Sequence, residues 1–365
     1  MGSAATYHLA RRGQKVLGLD RFGQPHVHGS SHGRSRIIRR AYFEGPSYVP
    51  IVVRAYELWR ELERRSGSPL VTITGGLLIG RADSDRVEAA RMSAETHGVD
   101  HQVLDAEDAT RRFPQLRIVP DELALYEAQA GVLVPELCVA AHLQLADRNG
   151  AVLRTGEPVS GWRPHPEGLV VTTASGSYHA RNVVLTAGPW IPQLTGGRLP
   201  MTVERQYVAW LRPRGDRHLF SGGRLPVFII DREDDVALYG LPDLHGDGVK
   251  VAFHHGGETG DPDALSREVH DDELQRLAGA ARDRVPALGD VADAQVCLYT
   301  NTHDRHFAIG PHPDVDGLIV AGGFSGHGFK FASAVGEILA DLVVDGETGF
   351  DLDHFRPGRL IDAPR

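Results

Sequence analysis

The sequence Gly317-Leu318-Ile319-Val320-Ala321-Gly322-Gly323-Phe324-Ser325-Gly326-His327-Gly328-Phe329-Lys330-Phe331 runs from an apolar segment into a glycine-rich turn, and a helical pattern over 333–344 follows it. Glycines let a backbone approach a ligand closely, and unpaired N–H groups at a helix start attract negative charge. Lys330 adds a cation with three hydrogen-bond donors. The segment therefore predicts a strand-to-helix turn that either holds a flat cofactor or closes tightly without a ligand.

A related pattern lies at the N-terminus, where a predicted helix over 2–12 precedes Gly13 and a short apolar strand, 15–19, that ends at Asp20. Helix, turn, strand and acid form the second half of a dinucleotide-binding βαβ unit, whose carboxylate binds the adenosine ribose. The first strand of such a unit is missing, and Gly2 is the candidate for its glycine fingerprint. We favour a chain that begins at an internal methionine; the alternative is a protein that binds its cofactor weakly or not at all.

Periodicity predicts the elements between these two patterns. Helices are predicted at about 46–65, 84–97, 135–149 and 272–285. Strands are predicted at 72–79, 152–155, 169–173, 178–180, 183–188, 206–211, 227–230, 236–239 and 249–253. The alternating strands after Met201 indicate a mostly antiparallel sheet inserted into a cofactor-binding α/β domain, to which the chain returns by Gly317.

Composition excludes several classes of function. The 365 residues carry a net charge of −9 without a long run of either sign, which argues against nucleic acid or an anionic membrane surface as a partner. We expect no membrane span and no signal peptide. Cys138 and Cys297 are the two cysteines, so we expect a cytoplasmic protein without disulfides, and no metal site.

Four segments in order along the chain resemble a known family: Ser-Arg-Ile-Ile-Arg at 35–39, Tyr-Val-Pro at 48–50, Cys-Leu-Tyr-Thr at 297–300 and Gly-Phe-Ser-Gly-His-Gly-Phe-Lys-Phe at 323–331. They resemble the monomeric sarcosine oxidase and N-methyltryptophan oxidase family of FAD-dependent, D-amino-acid-oxidase-like flavoproteins. The resemblance implies oxidation of a small secondary amine, usually an N-methylated amino acid, to an imine that hydrolyses. Dioxygen re-oxidises the flavin and gives hydrogen peroxide, and the family precedent is a monomer.

The same resemblance implies a fold of mixed α/β class, with a Rossmann-like FAD-binding domain and an inserted substrate domain of mostly antiparallel sheet. We assign 1–80, 135–200 and 297–365 to the discontinuous FAD-binding domain, without its N-terminal strand. The substrate domain then comprises 81–134 and 201–296.

The two cysteines receive different interpretations. A lone cysteine with apolar neighbours is usually an inert core residue, and Cys138 keeps that interpretation. The resemblance implies that Cys297 carries FAD through a thioether bond to the flavin 8α position, and we expect the covalent bond here.

Arg36 and Arg39 lie three residues apart, a spacing equally typical of surface charge beside a buried segment. A guanidinium group binds a carboxylate with two parallel donors. The resemblance implies that Arg39 and Lys330 bind the substrate carboxylate. It places Arg36 beside the flavin, where a cation favours the electron-rich reduced ring.

Lys250 and His254 share one face of an alternating strand. Considered alone, Lys250 is typical of a solvated face. The resemblance instead places it over the flavin, where its charge activates dioxygen, and implies that His254 and Tyr239 line the substrate pocket. We assign no strict general base, and we expect His255 to be exposed.

The remaining predicted FAD contacts are individually less specific: Gly2, Asp20, His26, Gly29, Ser30, Tyr48, Trp190, Gly326, His327 and Gly328. Arg36, Cys297 and Lys330 complete that set. Two alternatives stay open. One is a related flavin dehydrogenase or a D-amino-acid or cyclic-imino-acid oxidase, and the other is a binding relative without a cofactor.

Overall fold

The computed structural model describes residues 1–232 and 236–362. Its helices are α1 Gly2–Arg11, α2 Val49–Ser66, α3 Asp85–Thr96, α4 Ala106–Arg112, α5 Pro135–Arg148, α6 Ile191–Leu194, α7 Asp271–Arg284, α8 Ala332–Val344 and α9 Arg359–Asp362. Its strands up to residue 200 are β1 Leu17–Asp20, β2 Arg36–Ile38, β3 Val71–Ile73, β4 Gly76–Arg81, β5 Gln102–Leu104, β6 Glu122–Glu127, β7 Gly131–Leu133, β8 Val152–Thr155, β9 Val159–His165, β10 Gly168–Thr173, β11 Gly176–Ala180 and β12 Val183–Leu185. The later strands are β13 Thr202–Pro213, β14 Val227–Ile230, β15 Ala237–Leu241, β16 Val249–His254, β17 Leu288–Asn301, β18 Ala308–Pro311 and β19 Leu318–Gly322.

Parallel strand pairs and a helical layer form the first part of the fold. β1 pairs with β8, and β12 pairs with β19, both in parallel. Helices α1, α2, α5 and α8 pack together, and their apolar faces share one core with residues such as Trp59, Phe331 and Ile338. Parallel strand pairs together with a layer of packed helices are typical of the α/β class that the sequence predicts.

An eight-stranded sheet forms the second part, in the order β17-β13-β16-β15-β14-β4-β6-β5. Every pairing in it is antiparallel except that of β14 with β4. Helix α7 packs on β13, β16 and β17. The structure confirms the mixed fold class with a mostly antiparallel sheet. The division into two domains stays a prediction, and its residues 233–235 and 363–365 lie outside the described residues.

The prediction of one strand over 72–79 is wrong in one respect. The structure has two strands there, β3 and β4, because the backbone turns at Gly75, where φ is 75°. β3 pairs with β7 in a small sheet, whereas β4 joins the eight-stranded sheet. The alternation of apolar residues continues through both strands, so the sequence pattern does not show where the first strand ends. Sequence analysis also missed short elements such as α4, β5 and β7, which are too brief for a periodic pattern.

Close packing of α8 against α1 depends on Gly336. A side chain there would place its Cβ 2.5 Å from the Cβ of Ala4 and 2.6 Å from the Ala4 carbonyl carbon. Gly279 in α7 is a matched control, because it is exposed and no atom lies within 4 Å of such a Cβ.

Replacing Gly336 with Ala should therefore lower the free energy of unfolding by about 1–3 kcal/mol through overpacking. Gly279→Ala should raise it by roughly 0.5–1 kcal/mol, because alanine loses less backbone entropy in a helix. Guanidinium unfolding curves measure both changes. A Gly336→Ala protein as stable as the parent would contradict the packing described for α1 and α8.

Candidate active site

A cavity of about 1270 Å³ lies between the parallel strand pairs and the eight-stranded sheet. The ends of β1 and β12, the glycine-rich turn after β19 and one face of the eight-stranded sheet all contribute to its wall. With the exception of Tyr48, every residue predicted for the site lines this cavity. A large cleft at the carboxyl ends of parallel strands is the usual place for a nucleotide-containing cofactor.

The end of β1 and the start of α1 form one end of the cavity. Asp20 accepts hydrogen bonds from the backbone N–H of Phe22 at 2.8 Å and from the side chain of Gln24 at 2.5 Å. Gly2 lies at the first position of α1, and a Cβ there would be 2.7 Å from the hydroxyl of Thr186. A helix that begins with glycine leaves its N-terminal N–H groups accessible to a phosphate. The neighbouring carboxylate of Asp20 can accept hydrogen bonds from a ribose.

Lys250 is 2% exposed and lies on β16, which faces the cavity. Its ammonium group donates to the carbonyl of Gly33 at 2.7 Å and to that of Ser35 at 2.8 Å. Burial, and next the charge of Arg36, lower the pKa of Lys250 well below its usual value. Gly33 has a φ of 96°, and a Cβ there would lie 3.4 Å from the Lys250 nitrogen.

Arg36 lines the cavity together with Lys250, and it contacts Cys297. One guanidinium nitrogen lies 3.6 Å from the Cys297 sulfur and 3.0 Å from the carbonyl of Ser30. Cys297 lies on β17 and lines the cavity, whereas Cys138 is fully buried in α5, where burial raises the pKa of its thiol. A thiol beside a cation and a cavity can react with a bound group, whereas a core thiol cannot.

Arg39 and Lys330 form a second cationic group in the cavity wall. Arg39 donates to both carboxylate oxygens of Glu44, at 2.7 and 3.0 Å. Burial alone would raise the pKa of Glu44, but Arg39, His327 and Lys330 hold it below its usual value. Burial, and next the charge of Arg39, lower the pKa of Lys330 to about 7.

Aromatic and histidine side chains surround the remaining wall. The Nδ1 atom of His254 lies 3.5 Å from the hydroxyl of Tyr299, and the rings of His254 and Tyr239 meet edge to face. The expectation that His255 is exposed is wrong: it is 8% exposed, and its Nδ1 atom lies 3.0 Å from Glu204. The φ of His255 is 73°, in the left-handed region, and with this backbone conformation its ring is buried.

Tyr48 does not reach the cavity. It is fully buried among Tyr42, Phe331 and Phe355, and its hydroxyl lies 3.0 Å from the Nδ1 atom of His306. An aromatic side chain on a turn before a helix packs readily into the core, and sequence alone does not distinguish that from cofactor contact.

Sequence analysis missed Glu44, Tyr299 and Glu204, which contact predicted site residues directly. The rarity of lysine in this chain could have drawn attention to Lys250 and Lys330. The chain contains three lysines, of which Lys250 and Lys330 are buried and Lys15 is exposed. Where arginine is so strongly preferred, a buried lysine indicates a position that needs a compact ammonium group.

The lining fits FAD. Glycines at both ends of the cavity keep the backbone bare, since a Cβ at Gly326 or Gly328 would collide with Tyr299 or Phe324. Arg36 adds positive charge to the lining, which suits a ring that gains negative charge on reduction. Among the described residues, no cluster of three metal-ligating side chains occurs, and no helix is long and apolar enough to cross a membrane.

Comparison with known proteins agrees with this geometry. The model of the FAD dependent oxidoreductase family DAO matches residues 1–342. The monomeric sarcosine oxidase of Streptomyces avermitilis is 46% identical over 369 residues, which span 100% of this chain and 96% of that protein. An N-methyl-L-tryptophan oxidase of Escherichia coli is 35% identical across 99% of this chain and 96% of its own length.

Solved structures show the same fold. NikD, an amino acid oxidase of nikkomycin biosynthesis, superposes with a TM-score of 0.86 at 27% identity and covers 97% of this chain and 94% of that chain. An L-proline dehydrogenase from P. horikoshii, at 23% identity, shares the fold with a TM-score of 0.83. The resemblance drawn from four sequence segments is confirmed, and the chain belongs to the FAD-dependent oxidoreductases, in which its sequence groups with the sarcosine and N-methyl-L-tryptophan oxidases.

Proposed function

We propose that this FAD-dependent oxidoreductase is an oxidase of small secondary amines, of which N-methylated amino acids such as sarcosine are the best candidates. The substrate would lose a hydride from a carbon next to nitrogen, and the resulting imine would hydrolyse. The observation that carries the proposal is that one cavity holds both Lys250 with Arg36 and Arg39 with Lys330. The names of the related enzymes support the same substrate class and a monomeric protein.

FAD held by this lining would supply the hydride acceptor and the electrons that reduce dioxygen. The side chains of this chain supply position and charge. Arg39 and Lys330 together form a site for a carboxylate. One terminal nitrogen of Arg39 already donates to both carboxylate oxygens of Glu44, and the other donates to the carbonyl of Ala41. A substrate carboxylate therefore binds there only if Glu44 gives up one or both of its hydrogen bonds.

The amine must be present as its free base before the hydride leaves. Burial lowers the pKa of His254 well below its usual value, so the ring beside the substrate carries no charge at neutral pH. A neutral ring accepts a hydrogen bond from an amine N–H and does not repel a cationic substrate that enters. We assign His254 and Tyr239 to the orientation of the amine and leave the proton acceptor open.

Lys250 is assigned to the reaction with dioxygen. Its amine nitrogen is fixed by two carbonyls, lines the cavity and stands over the ring of Trp210 at 5.6 Å. A donor held at this position stabilises negative charge that develops on oxygen during electron transfer.

Purified protein supplied with FAD should therefore release hydrogen peroxide with sarcosine. Lys250→Met should slow re-oxidation of the reduced flavin by oxygen at least about tenfold more than it slows reduction by substrate. Arg148→Met, which removes an exposed cation away from the cavity, should change neither step. Stopped-flow absorbance of the two half-reactions gives both rates, and equal slowing by Lys250→Met would contradict its assignment. Flavin reduction without peroxide would indicate a dehydrogenase.

Covalent attachment through Cys297 forms part of the proposal, supported by its lining position and its contact with Arg36. Acid precipitation of the holoenzyme should leave yellow colour in the pellet. Cys297→Ser should release the colour to the supernatant, whereas Cys138→Ala should retain it, because Cys138 lies in the core. Colour released equally from the parent protein would refute the covalent bond.

The depressed pKa of Lys330 predicts how carboxylate binding depends on pH. The ammonium group is charged below about 7 and neutral above it. Affinity for acetate, followed by flavin absorbance, should fall by up to about tenfold per pH unit above that value. Lys330→Arg should flatten the dependence, since arginine keeps its charge. An unchanged slope in that variant would assign the titration to another group.

A further inference from the structure

The two carbonyls that hold Lys250 belong to a tight turn, 33–35. Gly33 has a φ of 96° and Arg34 a φ of 64°, and the N–H of Ser35 donates to the carbonyl of Gly33 at 2.7 Å. Both angles lie in the left-handed region, which residues with a side chain rarely adopt. A turn of this shape persists only where its surroundings hold it.

A carboxylate in the first turn of α5, Glu136, holds the N–H side of this turn. Its Oε1 atom accepts from the backbone N–H of Gly33 at 2.8 Å and from that of Arg34 at 3.0 Å, 103 and 102 residues earlier in the chain. Two successive N–H groups that converge on one oxygen are typical of a backbone site for an anion. Glu136 itself lies outside the cavity lining, so it is placed to act on the turn and not on a bound ligand.

One peptide unit connects Glu136 with Lys250. The amide between Gly33 and Arg34 donates its N–H to Glu136, and its carbonyl accepts from the Lys250 ammonium group at 2.7 Å. In a trans peptide the N–H and the C=O point in opposite directions, so the carboxylate and the ammonium group lie at its two ends. A hydrogen bond at one end of an amide polarises it and strengthens the hydrogen bond at the other end.

Arg34 holds the turn against the eight-stranded sheet. Its guanidinium group forms an ion pair with Asp293 on β17 and lies over the ring of Trp210 at 4.2 Å. Trp210 and Lys250 are direct partners in the pairing of β13 with β16, so their side chains share one face of the sheet. The turn is thus fixed between the sheet and α5, and Glu136 provides the contact with α5.

We propose that Glu136 is a positioning residue for the reaction with dioxygen: it fixes the turn 33–35, polarises the carbonyl of Gly33 and so holds Lys250 in place as an ammonium group. The inference rests on the proposed oxidase function, in which Lys250 stabilises negative charge that develops on oxygen, and deepens it. An ammonium group does this more strongly than a neutral amine, because it adds a full positive charge. Glu136 therefore acts through Lys250.

Other titratable and charged groups also face Lys250. Together with Glu136 they are Arg34, Arg36 on β2, Cys297 on β17 and His32. Burial, and next the charge of Arg36, lower the pKa of Lys250. Cys297 and Glu136 act in the opposite direction and raise that pKa. A thioether at Cys297 would carry no charge, so among these groups Glu136 is then the one that still favours the ammonium form.

The test follows re-oxidation of reduced holoenzyme by oxygen in a stopped-flow spectrometer. A stoichiometric amount of dithionite reduces the flavin, so the measurement needs no amine substrate. Glu136→Gln keeps an oxygen that accepts from both N–H groups but removes the charge, whereas Glu136→Ala removes both. Re-oxidation should slow about threefold in Glu136→Gln and about tenfold in Glu136→Ala. Reduction of the oxidised holoenzymes by sarcosine should stay within about twofold of the parent rate.

A double-mutant cycle with Lys250→Met separates this role from a general loss of structure. If Glu136 acts through Lys250, Glu136→Ala should change re-oxidation by less than about twofold in a protein that already carries Lys250→Met. Glu107→Gln is a matched control, because it removes the same charge from an exposed side chain in the first turn of α4, and it should leave re-oxidation unchanged. Glu136→Gln keeps the acceptor oxygen, so it tests the inference even if Glu136→Ala fails to fold.

A readout without turnover comes from NMR of lysine-labelled holoenzyme, whose spectrum is simple because the chain contains three lysines. The Lys250 resonance is assigned by its loss in Lys250→Met. In Glu136→Gln it should titrate at a pH lower by about half a unit to one unit, because removal of a negative charge disfavours the ammonium form. Glu107→Gln should leave the titration in place.

Re-oxidation at the parent rate in Glu136→Gln would overturn the inference, and so would a Lys250 titration that matches the parent's. Equal slowing by Glu136→Ala with and without Lys250→Met would also overturn it. A parent flavin that oxygen re-oxidises no faster than free reduced FAD would instead refute the proposed oxidase function, and a flavin that sarcosine and other N-methyl amino acids do not reduce would refute the proposed substrate class. In either case the NMR titration would still decide whether Glu136 holds Lys250 as an ammonium group.

Discussion

The two hydrogen bonds from Lys250 to the carbonyls of Gly33 and Ser35 connect the two parts of the fold across the cavity. Lys250 belongs to the eight-stranded sheet, whereas both carbonyls lie in the segment between β1 and β2. A buried amine that loses either carbonyl would be left with an unsatisfied donor, which is expensive away from water. Together with the hydrogen bonds of Ser30 to Leu298 and of Arg34 to Asp293, a group assigned to the chemistry therefore holds the two parts of the fold at their separation.

Four basic side chains, Arg36, Arg39, Lys250 and Lys330, bring positive charge into the cavity wall. Burial works against that charge at Lys250 and Lys330, whose pKa values are both lowered. The carboxylate of Glu44 compensates part of it through its hydrogen bonds with Arg39. Glu44 lines the cavity, where it competes with a ligand carboxylate for Arg39, whereas Glu204 is held by His255 and the backbone of Gly257. Positions of this kind let one site attract an anionic substrate without losing its own structure.

Much of the fold followed from the sequence, because long elements repeat their pattern. Helix α2 and strand β16 were predicted closely, and the glycine-rich turn after β19 lies where the motif indicated. The sequence-based predictions were wrong where the φ angle of a single residue decides where a strand ends or whether a side chain is buried. The left-handed φ at Gly75 separates two strands that alternate without interruption, and the one at His255 buries a side chain that its position after a strand would leave exposed.

The same limit applies to the site. The resemblance to a known family singled out Lys250 and Cys297, whereas nothing in the sequence indicated the buried carboxylates Glu44 and Glu204. Glu44 and Glu204 are ordinary among the 48 acidic residues of the chain, and only contact with Arg39 or His255 distinguishes them. Glu204 reaches His255 across 51 residues through the pairing of distant segments. Charge compensation is thus a property of the folded chain, because residue type alone does not show which carboxylate meets a buried base.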